Sequence, residues 1–585
     1  SGVIAAYDGS SWTVGLSVYK GARLAVINNQ IWAGTMNGNI YWNNGSWQEY
    51  GSVSYAYEFA EYKGYIYAAG GDGVVYRTET PDEKHPIVLV PGMMASWNTI
   101  CILSGLNCDN ESAWKFFPKY GEAVYQPLID QLALAGDGYT EENGYLKIVY
   151  YDWTDPIESN ITRLMAKIDE VKNATGASQV DLIGHSMGGL LARAYVQSDG
   201  YLTRDDVAHL ITLGSPHLGA SKAYPTWEAA TLYETLPEEY HQFAILWNFI
   251  ARKNTDILFE LRSMIPSIQD LLPTADYLDL GQLVTGYLYD DTENDALIPE
   301  AHMVHQNDYL TDLYMGVSSL FERTEAYAFY GEDLSTPARF YVRPPSSDEW
   351  PLWDDGVPVW TRELEFKSAA GDGTVMAHSA KLPCPGGSMD CLRGFSGVEH
   401  GELPGNPEVT EEMFTILGIP LPLEAIAAKT TQESTGSLLV LSLYGEAEVT
   451  ITDALGNSVG PDVSEISGAE YVSLPDSPYK LVLIPNPVDG EFEIQVQGTG
   501  DGQYALSLLE ESSAPAAVIT DAETLWDIAQ SEIQTDVCVT YEMTYAEETS
   551  DITPLIAVTP MIETPIYLGQ TVVEGRALHQ QQGNR

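Results

Sequence analysis

An α/β fold with all-β flanks is what this sequence predicts, and three observations predict it. From Pro86 onward, strand-like runs alternate with helical spacing in "PIVLVPG", "AVYQPLIDQLALAG", "LKIVYYDW" and "ITRLMAKIDEVKNATG". That rhythm belongs to a parallel sheet with helices on both faces. At Val180–Tyr195, "VDLIGHSMGGLLARAY", a strand runs through a serine set between glycines straight into a helix. Before about residue 80 and after about residue 423 helical spacing fades, and short alternating strands with turn residues take over.

The flank before residue 80 is repetitive. "YDGSSW" at Tyr7–Trp12 returns as "WNNGSW" at Trp42–Trp47, and the run from Leu24 returns from Phe59. With Asn-Gly and Asp-Gly turns between alternating strands, residues 1–80 resemble two blades of a β-propeller. Two blades cannot close a ring, so further blades are expected to precede Ser1 in a longer precursor. "TETPDEKHP" reads as a polar linker, and residues 81–422 as the α/β domain. Between about 221 and 322 the strands are expected to stop. Segments such as "EEYHQFAILWNFIARK" and "IQDLLPTADYLDLGQLV" predict a helical cap over the carboxyl ends of the strands. Strand texture returns at "EAYAFYG" and "ARFYV". Residues 423–585 predict a β-sandwich-like region, harder to read after Ser512 and frayed at "ALHQQQGNR".

Composition narrows the function. Of 585 residues, 83 are acidic and 28 basic, a net charge of −55, so nucleic acid is an unfavourable partner. With 44% hydrophobic residues the chain can bury large cores. There are five cysteines. Cys101 with Cys108 and Cys384 with Cys391 share one spacing and have no His or Cys at zinc spacing, so two local disulfides are expected and no metal. Cys538 is left over. Local disulfides favour an oxidising compartment, extracellular or at the cell surface, and no stretch is apolar enough to span a membrane. "DDTEND" at Asp290–Asp295 lacks calcium-loop spacing and reads as a solvated turn.

The chemistry centres on Ser186. A serine there either caps the following helix or forms a nucleophile elbow. In an elbow it occupies a strained corner, with Gly184 and Gly188 admitting the close approach of strand and helix. An elbow of the α/β-hydrolase type needs an acid and then a histidine downstream. "SAAGDGTVMAHSA" supplies Asp372, otherwise an Asp-Gly turn residue, and "FSGVEHGELPGNPEV" supplies His400. His378 is the rival, but lies six residues past Asp372. The backbone N–H of Met187, at the helix start, is one expected oxyanion donor. Met93, after the Pro91-Gly92 turn, is the other, with Met94 in reserve.

In order along the chain, "VPGMMAS", "YYDWTDP", "GHSMGGLLAR", "ITLGSPHLGA", "YGEDLSTP" and "GDGTV" resemble the landmarks of the lecithin:cholesterol acyltransferase-like family of α/β-hydrolases, over about residues 86–420. The resemblance implies Ser186, Asp372 and His400 as the triad, Met93 and Met187 as the oxyanion hole, and Tyr151, Asp152 and Trp153 lining or supporting an acyl pocket. It departs in the glycine after Asp372, in the cap and in the flanking β regions. The loop carrying Trp97, clipped by Cys101 and Cys108, is either packed into the cap or a lid that touches lipid. The expected activity is hydrolysis of carboxylic esters of lipid-like substrates, lipase or phospholipase in type and without a cofactor. Its alternatives are acyl transfer to an alcohol, or an adhesin using the fold as a scaffold. Glycan or protein binding is an open role for the β regions. Every chemical motif lies within about Thr78–Pro422, so the flanks are expected to be dispensable for the chemistry.

Overall fold

The structure, a computed structural model, describes residues 84–420 and 438–510 except 119, 136–137, 231–244, 247–248, 251–255, 279–285, 348 and 350–351. It also describes strands within the first 79 residues and short strands between 529 and 577. The chain divides into two compact units, Ser1–His85 with Thr175–Gln179, and Pro86–Ala174 with Val180–Arg585. The first unit contains an antiparallel pair (Gly2–Tyr7 with Trp12–Val18), a four-stranded meander between Ala22 and Ser52, and a three-stranded one between Ala56 and Glu79. The turn residues between the repeats, and the chain's last residues "ALHQQQGNR" beyond Ala577, lie outside the described residues.

The second unit is built on a six-stranded sheet. Its strands are β1 (Ile87–Val90), β2 (Leu146–Ile148), β3 (Val180–His185), β4 (Val207–Leu213), β5 (Glu325–Glu332) and β6 (Leu392–Ser396). The spatial order is β2-β1-β3-β4-β5-β6, and every pairing is parallel. Period-two alternation feeds both faces. Ile87, Leu89, Ile183 and Ile211 join one apolar core with α1 (Tyr120–Leu134). Val88, Val90, Leu182 and Leu210 join another with α2 (Ile161–Thr175) and α3 (Met187–Gln197). Strands buried on both sides read as continuous apolar runs, which is why "PIVLVPG" and "VDLIG" carry no polar alternation. The chain leaves β1 toward β2, then returns to β3 on the other side of β1. The carboxyl ends of β1 and β3 therefore flank a topological switch point, where a crevice opens.

The segment expected to be a purely helical cap is mixed. It contains helices Ala223–Ala229, Ile257–Met264 and Asp308–Met315. Contrary to the expectation that strands stop there, Leu288–Asp290 and Ala296–Ile298 form a hairpin that pairs with Phe340–Arg343. Strands of three residues are too short to show a period, so the sequence hid them. "DDTEND" is the turn of this hairpin, and its charge is answered by Arg362, whose Nη1 lies 2.7 Å from Asp291 and 2.6 Å from Asp295. "IQDLLPTADYLDLGQLV" begins as a 3₁₀ segment, Pro266–Leu271, rather than an α-helix. Most of "EEYHQFAILWNFIARK" lies outside the described residues, although Ile245, Leu246, Phe249 and Ile250 are helical and buried.

From Leu438 two six-stranded sheets follow, antiparallel throughout. Leu439, Leu441 and Leu443 face inward with Val449, Ile451, Ile494 and Val496 of the other sheet. Their alternates, Leu438 and Val440, together with Leu481, Leu483 and Tyr479, belong to the same continuous core as the α/β domain. Tyr479 meets Phe249 of the cap with ring centroids 5.2 Å apart. Each buried Leu or Val contributes roughly 1.5–3 kcal/mol. Among the described residues the one ion pair across this contact, Lys115 to Glu470 at 2.7 Å, is substantially exposed, and such pairs contribute about 0–1 kcal/mol. Apolar burial therefore decides the docking. Ending the chain at Pro422 would uncover this apolar face, so the flank is dispensable for chemistry only if the fold survives its loss. Such a chain should melt about 10 °C or more below the full chain and should bind a hydrophobic dye when native. An unchanged melting temperature without dye binding would show that the docking contributes nothing.

Candidate active site

Ser186 follows β3 at φ 53° and ψ −127° and makes no capping hydrogen bond to α3. The capping reading of this serine therefore does not hold. Left-handed backbone at a non-glycine residue costs about 1–3 kcal/mol and persists only where surroundings impose it. Here they do. Its N–H donates to the Leu213 carbonyl at 2.8 Å. A Cβ on Gly184 would stand 2.4 Å from Gly189 Cα, and one on Gly188 would stand 2.3 Å from the carbonyl oxygens of Val90 and Pro91. Both glycines are required by contact, Gly184 between strand and helix and Gly188 between the helix and the loop after β1.

Asp372 follows the strand Lys367–Gly371, and His400 opens a short 3₁₀ turn, His400–Glu402, closed by a reciprocal Glu399–Glu402 capping box. The imidazole Nδ1 lies 2.8 Å from Asp372 Oδ2. The backbone reinforces the pair, His400 N–H donating to the Asp372 carbonyl at 2.9 Å. Asp372 is also the turn residue it resembles. Its Oδ1 accepts from the amides of Thr374 at 2.9 Å and Val375 at 2.6 Å, which aims Oδ2 at the histidine. Both side chains are buried. Gly214 sits beside them, where a Cβ would meet Leu403, Asp372 Oδ2 and His400 Nδ1. His378 is elsewhere, its Nε2 3.1 Å from the Asp276 carbonyl. No hydrogen bond joins Ser186 Oγ to His400 Nε2 among the described residues; bonds of this kind commonly tighten only with substrate.

The loop after β1 supplies the other wall. A Cβ on Gly92 would approach Ser186 Cβ at 3.0 Å, so this loop faces the serine corner. The Gly92 amide is occupied by Tyr125 Oη at 2.7 Å, which leaves Met93 next in line. Met94 has φ 66° and a buried side chain. Met187 is the first residue of α3, where a helix offers its own N–H no partner. Trp97, Tyr151 and Trp153 are fully buried. Tyr151 Oη donates to the Pro91 carbonyl at 3.0 Å, Trp153 Nε1 to the Ser96 carbonyl at 2.9 Å, and Trp97 Nε1 to Thr99 Oγ1 at 2.8 Å. Tyr151 and Trp153 thus hold main-chain groups of the loop after β1, to which Trp97 itself belongs. The following loop is likewise packed, with Trp114, Phe116 and Phe117 buried and Leu106 46% exposed. Cys101–Cys108 and Cys384–Cys391 are disulfides, with Cα–Cα distances of 4.8 and 5.8 Å.

Two residues at the site were not singled out from the sequence. His185, inside the elbow motif, is buried, with Nδ1 2.7 Å from Tyr125 Oη and Nε2 3.0 Å from the His400 carbonyl. Desolvation, and then the neighbouring His400, hold its pKa well below the ordinary histidine value. Burial pushes the Tyr125 hydroxyl up. A signal for His185 existed in its place beside the serine. Tyr125 had none beyond its apolar helix face.

A parallel sheet, a serine on a strained corner after a central strand and an Asp–His hydrogen-bonded pair are the elements expected of an α/β-hydrolase core. The family described as PGAP1-like alpha/beta domain matches residues 154–315. Triacylglycerol lipases of Pseudarthrobacter phenanthrenivorans and Burkholderia plantarii are each 44% identical over 61 residues, 10% of this chain. That segment spans 18% of the first lipase and 16% of the second. Among solved structures, lipase BlEst2 of Bacillus licheniformis aligns at 16% identity over 58% of this chain and 94% of its own, with a TM-score of 0.28. Phospholipase PlaB of Legionella pneumophila aligns at 11% identity over 73% and 90%, also with a TM-score of 0.28.

The glycine contacts give a direct test. Gly188→Ala should cost about 3 kcal/mol or more, because backbone oxygens on the other side cannot move aside. Gly373→Ala, at φ 88° with no atom near its Cβ position, should cost only about 1–2 kcal/mol of left-handed strain. Denaturant melts of the two variants should rank in that order, and equal losses would mean that the corner is not close-packed.

Proposed function

We propose that this chain is a serine hydrolase that cleaves carboxylic esters of lipid-like substrates through an acyl-enzyme. The observation that carries the proposal is the Asp372–His400 pair beside a serine that does not cap its helix. With Nδ1 engaged by Asp372, His400 presents Nε2 to Ser186. It takes the serine proton as Oγ attacks the ester carbonyl and returns it to the departing alcohol. The tetrahedral oxygen receives the amides of Met93 and Met187. Water activated by His400 then releases the acid. The lipid-like substrate rests on the short lipase match, on the resemblance of the motifs to the acyltransferase-like family and on the apolar cap. The two disulfides support an oxidising, extracellular or cell-surface setting. Among the described residues no helix is long and apolar enough to cross a membrane. We read the N-terminal repeats as propeller-like and the two C-terminal sheets as a sandwich.

Ser186→Ala should abolish hydrolysis of a soluble nitrophenyl ester and labelling by a fluorophosphonate, with the fold retained. Asp372→Asn should lose about 10⁴-fold in kcat by disturbing the histidine tautomer. Activity surviving in Ser186→Ala would end this reading.

Acyl-chain selectivity tests the lipid-like substrate. Each buried methylene contributes roughly 0.8 kcal/mol, so kcat/KM should rise along a nitrophenyl series from acetyl to the medium chains. A steady fall from acetyl onward would mean a small-ester esterase.

A further inference from the structure

We propose that Tyr125 and His185 are positioning residues that couple the oxyanion turn to the catalytic histidine through one hydrogen-bond chain of fixed direction. The proposal rests on the reading of Ser186, Asp372 and His400 as the reacting groups.

The direction follows from the two ends of the chain, which are backbone groups with no choice of role. The Gly92 N–H can only donate, and it donates to Tyr125 Oη at 2.7 Å. The Tyr125 proton therefore points away from Gly92, toward His185 Nδ1 at 2.7 Å. At the other end the His400 carbonyl can only accept, and it lies 3.0 Å from His185 Nε2. His185 must then be the neutral tautomer with its proton on Nε2, accepting at Nδ1 and donating at Nε2. Every link is buried, so water does not compete, and each group has its partner. Burial and the nearby His400 disfavour a charge on His185, consistent with this single state.

The chain joins parts that are far apart in sequence, 60 residues from Tyr125 to His185 and 215 from His185 to His400. At the oxyanion end it acts with Tyr151. That hydroxyl holds the Pro91 carbonyl at 3.0 Å, while Tyr125 holds the Gly92 N–H. These are the two polar atoms of the Pro91–Gly92 peptide group, so the plane next before the one that carries the Met93 N–H is pinned from both sides. At the other end the chain holds the main chain of His400, and the His185 ring lies against the His400 ring with centroids 4.8 Å apart. Phe116, stacked on Tyr125 at 5.2 Å, keeps the phenol in place. A neutral His185 beside His400 also leaves the positive charge of the reaction on the histidine that faces Asp372.

The test combines kinetics with a tautomer measurement on the full chain. Tyr125→Phe removes one hydroxyl from a ring that stays stacked. It should lower kcat on a soluble nitrophenyl ester by about 10- to 100-fold, since small misplacements of reacting groups cost this much, with KM changed less than about threefold. His185→Leu should lose at least as much. His185→Gln, which still carries one acceptor and one donor, should recover most of it. Histidine-selective ¹⁵N spectra should show His185 as the neutral Nε2–H tautomer from pH 5 to 8, with its Nδ1 signal shifted in Tyr125→Phe. A kcat within twofold of wild type in Tyr125→Phe, a loss confined to KM, or a failure of Gln to outperform Leu would overturn the coupling. So would an Nδ1–H or titrating His185. If the wild type is inert toward esters and fluorophosphonate, the hydrolase reading fails by itself, and the spectra still decide the direction of the chain.

Discussion

The constraint on which the site depends is the contact between the loop after β1 and the corner after β3. Val90 and Pro91 carbonyls stand where a side chain on Gly188 would begin, and Gly92 stands against Ser186. Because β1 and β3 are neighbours in the sheet, with Val90 opposite Gly184, both loops leave from the same edge at the switch point. Their closeness does two things at once. It holds Ser186 in a left-handed conformation that a serine would not keep alone, and it brings the turn before Met93 to the same spot as the start of α3. The strain and the proposed oxyanion site therefore have one cause.

Around that contact several buried polar groups find their partners within the protein. Asp372 divides its oxygens between turn amides and His400. Tyr125, Tyr151 and Trp153 direct their polar atoms at main-chain groups or His185 and present apolar rings to the core. A chain with a net charge of −55 thus keeps the interior of its site nearly uncharged. The acidic excess favours repulsion of anions, whereas the proposed chemistry draws on the buried carboxylate of Asp372 next to an imidazole.

How much of this was legible in the sequence depends on how local the information is. The corner at Ser186 is encoded in six consecutive residues, and the parallel sheet in the alternation of strand and helix runs from Pro86 onward, so both could be read directly. Asp372 and His400 were found by order, because each sits in a turn whose neighbours announce it. The pairing of Tyr125 with His185 left no comparable trace. One partner looks like any residue on the buried face of α1, and the contact is made only when the sheet closes. The hairpin at Leu288–Ile298 escaped for a different reason, since three-residue strands are too short to repeat the two-residue alternation. Trp97, Tyr151 and Trp153 show a third limit. A motif can identify residues that belong to a site without saying whether they face the substrate or stand behind the loop that does.

The C-terminal sheets carry the same lesson in energetic form. "LLVLSLYG" and "YKLVLIP" are apolar runs interrupted only by Ser442 and Lys480, themselves buried, and an antiparallel strand with one wet face should alternate instead. Near-continuous apolar runs mean that both faces are covered. One face is covered by the second sheet and the other by the core of the α/β domain, through Tyr479 and Phe249 among others. Phe249 belongs to the cap, so the cap is held between the α/β core and a β structure more than 200 residues further along the chain. A cap with apolar contacts on two sides has less freedom to open than one hinged over a single domain, because opening must strip side chains each worth roughly 1.5–3 kcal/mol.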